Sequence, residues 1–316
     1  MEAENVTMLR TEADVKRMVR NQPGGHGNSA RLKECIAKYI FMVLASMSIV
    51  LVVLICVFLF ANGLPAIFKI GPREFLLGTT WKPGNNIYGI LPMILGSVIV
   101  TIGAIIVGVP IGILTAVYLS RFCSRKLYKF IYPAVELLAG IPSVVYGFFG
   151  LVVIVPVVAA LTKDFGGKGK SILTASILLG IMILPTIISM AKAALDAVPE
   201  SYYEGSLALG ATHERTVFHV MVPAAKSGIF AGVVLGVGRA IGETMAVIMV
   251  AGNQARMPKG VLQGIRTMTA NIVLEMGYAT DLHREALIAT GVVLFIFLLI
   301  INSIFSWMKR KSEAEH

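Results

Sequence analysis

Six stretches of this chain are predominantly apolar over about 20 residues or more, the length a helix needs to cross hydrocarbon roughly 30 Å thick. Nothing else in the sequence constrains the fold as much. No water reaches the bilayer core, so a spanning segment must satisfy its own backbone donors and acceptors, and runs of this length do so as helices. The spacing predicts six transmembrane helices, at 37–61, 90–120, 131–161, 172–191, 227–252 and 286–308, in an all-α integral membrane protein. Composition agrees: 56% of the 316 residues are apolar and 15% charged, less charge than a soluble domain carries. Cys35, Cys56 and Cys123 are scattered, with neither metal spacing nor a disulfide framework.

The net charge of +10 reads as topology, not as a nucleic-acid footprint. Basic residues favour the cytoplasmic flanks of spans. If the N-terminus is inside, seventeen Lys and Arg lie on the inner side and ten on the outer, with Arg239 inside a span. This predicts cytosolic termini: a polar tail over 1–36, the transmembrane domain over 37–308, and a tail over 309–316. Gly24, Gly25 and Gly27 suit a flexible join, and Arg10–Arg20 either a short surface helix or disorder. In the outer connector Asn62–Gly89, Trp81 and Tyr88 are expected to anchor at the lipid interface; in Asn253–Glu285, Val261–Met276 reads as a short amphipathic helix.

The connector from Lys192 to Lys226 lies on the cytosolic side by this count. Pro199 opens a helix, since a first-turn proline loses no needed N–H. Gly210 ends it, because glycine takes the left-handed conformation without a Cβ clash. Thr212 caps a second short helix, which Pro223 limits. From Glu204 the order is Glu204-Gly205-Ser206, three residues, Gly210, nine residues, Val220-Met221-Val222-Pro223. This resembles the EAA loop of ABC-importer permeases, with Gly205 and Ser206 in place of two alanines and Val220 and Val222 in place of Ile and Leu. The resemblance implies a type I ABC importer permease fold and docking of this loop in a groove of an ATPase subunit.

In the fifth span Gly228, Gly232 and Gly236 recur every fourth residue, a spacing that lets helices approach closely. Arg239 and Glu243 follow on the same helical face. Arg239 lies about 18 Å into the span, where a charge costs about 3 kcal/mol. Two readings stand: an i,i+4 ion pair, or a pair lining a transport path. The third span carries Glu136, Gly140, Ser143, Gly147 and Gly150 along one stripe, with Pro142 kinking it. Glu136 is either a pathway group or an interfacial partner of Lys126 or Lys129. Gly169-Lys170-Ser171 has the ending of a phosphate-binding P-loop, but Asp164 stands where its first glycine is required; His213-Glu214 lacks the second histidine of a zinc site, at Val217.

Gly238-Arg239-Ala240-Ile241-Gly242-Glu243-Thr244-Met245-Ala246-Val247, with Asn86-Ile87-Tyr88-Gly89 and Val135–Gly147, is similar to the signatures of phosphate ABC permeases of the PstC type. A PstA-type or other oxyanion permease shares part of that pattern. The resemblance implies a path lined by Arg239, Glu243, Glu136, Ser143 and Thr244. It also implies a bacterial or archaeal cell membrane, a PstA-type partner permease, two ATP-binding subunits and an extracytoplasmic phosphate-binding protein. ATP and Mg would then sit on the ATPases, leaving this chain without a cofactor or an enzymatic step. An autonomous phosphate or anion carrier is the rival from another class; intramembrane charges suit it, and the central loop does not.

Overall fold

The computed structural model describes the backbone of residues 28–314 and the side chains of 35–307. The basic tail up to Arg20 lies outside the described residues. Two compact units divide the chain, 1–58 and 59–316, with the boundary inside the first long helix, Asn28–Ile70. In the first unit, the apolar side chains from Ile36 onward are largely exposed around the whole helix, as lipid-facing residues are.

The second unit is built on Ile172–Asp196. Leu178, Met182, Ile183, Ile187 and Leu195 of this helix are fully buried. Helix Leu91–Val117 packs against it through Gly103, Gly108 and Gly112, whose added Cβ atoms would run into Ser176, Gly180–Ile183 and Ile187. Helix Lys226–Gly242 packs against it too. Cβ atoms on Gly228, Gly232 and Gly236 would meet Ala194, Met190 and Ile187. With no hydrophobic force between helices in lipid, such close backbone approach supplies the packing.

Among the described residues five helices are long and apolar enough to cross a membrane, or six where the bent pair His213–Ala224 with Lys226–Gly242 counts as one span. The span boundaries differ from expectation in physically telling places. The first helix continues through Pro65 to Ile70, and the last, Asp281–Ala314, begins earlier than position 286. The third span is not one kinked helix: Arg125–Gly140 ends, Ile141 and Pro142 are extended, and a helical run resumes at Ser143 and continues to Leu161. A proline disfavours α conformation in the residue before it, which turns the expected kink into a break. The fifth span breaks too: helix Lys226–Gly242 stops, Glu243 is extended, and Met245–Val250 follows.

The connectors 62–89 and 253–285 fold together. Trp81–Lys82 and Ile87–Tyr88 pair as an antiparallel hairpin. Trp81 and Tyr88 are 6% and 3% exposed and stack edge to face at 5.6 Å. They are core residues and not interface anchors, because the indole N–H has a buried acceptor: it donates to Glu275 Oε2 at 2.8 Å. The expected helix over Val261–Met276 forms only at Met268–Glu275. Residues ahead of it instead supply carbonyls to the start of helix 172–196, Gln263 to Ile172 N and Val261 to Leu173 N. Glu275, buried, also accepts from Arg266 Nη1 at 2.5 Å and pairs with His283 Nε2 at 2.9 Å.

Candidate functional site

The residues singled out in the sequence fall in two groups, one inside the spans and one in the central connector. Arg239 occupies the last turn of helix 226–242 and is half-buried. Its Nη1 donates to Thr186 Oγ1 at 3.4 Å, on the helix it packs against.

Glu243 does not complete an i,i+4 pair with Arg239. The helix has ended, and Glu243 Oε1 accepts from Thr244 N at 3.1 Å and Ala246 N at 3.2 Å, capping helix Met245–Val250. The first N–H groups of any helix lack intrahelical partners, and a carboxylate there is well placed for charge and hydrogen bonding. Thr244 Oγ1 donates to Gly242 O at 3.2 Å, and Thr269 Oγ1 donates to Glu243 O at 3.1 Å. The break is therefore held from both sides by hydroxyls. Among the described residues no carboxylate lies within ion-pair distance of Arg239.

The break in the third span lies alongside. Tyr146 OH reaches back across Pro142 to Leu138 O at 2.8 Å, taking up a carbonyl near the helix end. Gly147 packs directly on Ala246 and Met249, so the segments beyond the two breaks are in contact. Ser143 is half-buried at the start of its segment. Glu136 is exposed, with no ion pair to Lys126 or Lys129 among the described residues. Gly140, Gly238 and Gly242 face open space. Thr186, Tyr146 and Thr269 were not singled out in the sequence. The signal available for the break itself was Gly242-Glu243-Thr244, a helix stop followed by side-chain caps.

In the connector, helix Glu200–Ala208 buries none of its residues. Gly210 follows at φ +84°, the left-handed conformation. Thr212 caps the second helix by accepting from Arg215 N at 3.3 Å. Pro223 does not end that helix; a π-helical turn over Val217–Met221 leads into it, and the chain turns at Ala225 with a 68° bend. Ser206 Oγ bonds Thr216 Oγ1 at 2.9 Å and Tyr203 OH bonds His213 Nδ1 at 2.8 Å, clasping the two helices. Arg121 at the end of the second span ties this unit to the bundle through Glu200 at 3.3 Å and Leu195 O at 3.0 Å. Glu204 and Gly205 are exposed, and Leu209 is 91% exposed.

Residues 108–313 match the family described as binding-protein-dependent transport system inner membrane component. A probable ABC transporter permease, YqgH of Bacillus subtilis, is 39% identical over 289 residues, covering 88% of this chain and 93% of its own. The phosphate transport system permease protein PstC of Mesorhizobium japonicum is 36% identical, covering 85% and 88%. A probable PstC of Methanocaldococcus jannaschii is 30% identical, covering 84% and 90%. Among solved structures, a bacterial ABC transporter importing alginate superposes with TM-score 0.61 at 17% identity, covering 89% of this chain and 99% of that one. The methionine ABC transporter MetNI, inward facing, gives TM-score 0.52 at 21% identity, covering 71% and 94%. The chain thus belongs to the binding-protein-dependent transport system inner membrane component family, as a membrane-spanning permease subunit of an ABC importer with the type I importer fold.

Proposed function

We propose that this permease carries inorganic phosphate, as a PstC-type subunit beside a PstA-type permease. The observation that carries the reading is Arg239: a guanidinium within a span that rests on a neutral hydroxyl while the nearby carboxylate caps a helix. A guanidinium stays charged and offers a planar fork to two oxygens of a tetrahedral anion. The PstC relatives, named for phosphate transport, support the same ion. Glu204, Gly205, Ser206, Gly210, Val220 and Pro223 form the ATPase dock in this reading. ATP with Mg binds two partner ATPases, so this chain holds no cofactor and performs no hydrolysis. Their closure moves the connector, the spans rock, and the path opens outward to receive phosphate from an extracytoplasmic binding protein. The test is phosphate uptake into proteoliposomes. Uptake should require the full complex and ATP; flux through this chain alone would favour an autonomous carrier instead.

The same reading sets N-terminus and C-terminus in the cytosol. In a cysteine-free background, Glu214→Cys should resist impermeant thiol reagents in intact cells while Asn85→Cys reacts. The reverse pattern would invert the topology and remove the dock.

Gly210→Val should uncouple the complex. No atom lies within 4 Å of a Cβ added there, so the penalty is conformational, about 1–2 kcal/mol for a left-handed residue. That is enough to misdirect the turn between two short helices. We expect ATP-driven uptake to fall about tenfold, the equivalent of about 1.4 kcal/mol, with the spans still inserted. Unchanged uptake would show that the loop is not the coupling element.

A further inference from the structure

Arg239 reaches from helix 226–242 to helix 172–196, and what it finds there is Thr186. Thr186 directly follows Pro185, inside the helix that forms the centre of the bundle. The arrangement has three features. Arg239 bonds a neutral acceptor; the bond is long, at 3.4 Å; and Glu243 is committed to the backbone N–H groups of Thr244 and Ala246. We infer that Thr186 is a positioning residue for transport: it aims the Arg239 guanidinium without neutralising it. This rests on the phosphate-path reading of Arg239.

The physical case turns on what an arriving anion must displace. A carboxylate partner would hold the guanidinium by a strong charge-assisted pair and compete with every incoming oxyanion. With no partner at all, a long, flexible side chain would have to be ordered at each encounter, a cost that pre-organisation removes. A single long bond to a hydroxyl does neither. It selects one orientation, leaves the full positive charge facing the path, and yields readily to a charged oxygen. The bond joins the two helices that Gly228, Gly232 and Gly236 bring into contact, so the aim of the guanidinium follows their packing.

Three substitutions at Thr186 test this in the reconstituted complex, with inorganic phosphate as the transported ion. Thr186→Val keeps the shape and removes the acceptor. Its KM should rise, by up to about tenfold, the scale of the cost of ordering one rotamer-rich side chain at each encounter, at unchanged complex yield. Thr186→Ser restores the hydroxyl and should restore KM. Thr186→Glu supplies the carboxylate and should reduce uptake more than Val does. A Val variant with normal KM overturns the proposal, as does one that lowers only the amount of complex while each assembled complex transports normally. A Ser variant as impaired as Val overturns it too, since packing and not the hydroxyl would then matter. The two readings separate cleanly. Thr186→Val normal with Arg239→Gln inactive removes the positioning role and leaves the pathway; normal uptake by both removes the pathway as well.

Discussion

Uptake by a complex carrying Arg239→Gln should fall by about 100-fold or more, with insertion and assembly intact. If Arg239 lines the phosphate path as proposed, two charge-assisted hydrogen bonds to the ion are lost, each worth about 1.5–3 kcal/mol. Insertion should not suffer, because glutamine removes a charge whose burial costs about 3 kcal/mol. Arg239→Lys keeps the charge but loses the planar fork, and should lie between, about tenfold down. Glu243→Gln should be mild, since an amide oxygen can still accept from Thr244 N and Ala246 N. The measurement is ATP-dependent phosphate uptake with complex yield determined in parallel. Full uptake by an assembled Arg239→Gln complex would end the pathway role. A collapse of assembly would recast Arg239 as an interhelix tie through Thr186.

The second large effect concerns Glu275. This carboxylate is 6% exposed and joins Trp81, Arg266 and His283. Glu275→Ala leaves Arg266 without its counter-ion and the indole N–H without its acceptor. Breaking a buried pair from one side costs about 3–5 kcal/mol. We expect a clear fall in the thermal unfolding midpoint of the purified complex, and a smaller one for Glu275→Gln. A melting curve for Glu275→Ala that overlays the parent would show that the three donors find other acceptors.

The apolar runs and the helix–glycine–helix connector were legible because each rests on local chemistry: run length against bilayer thickness, and a left-handed turn that glycine takes at no steric cost. The two helix breaks were harder to see. Inside a span nearly every residue is apolar whichever way it faces, so periodicity carries little information, and the Glu243 cap reads equally well as half of an ion pair with Arg239. The glycines at 103, 108 and 112 lack the regular fourth-residue spacing of those at 228, 232 and 236, and what they pack against is set by a helix about 70 residues further on. Thr186 was invisible for the same reason. Its role comes from Arg239, 53 residues away, and a threonine in an apolar run usually satisfies itself on its own helix.

Trp81 and Glu275 are separated by 194 positions. At about 5–20 residues per second of synthesis, the acceptor is made roughly 10–40 s after the indole that needs it. Throughout that interval the indole N–H lacks the carboxylate that takes it up in the folded chain. The contact between the first connector and the last can therefore close only once nearly the whole chain has been translated.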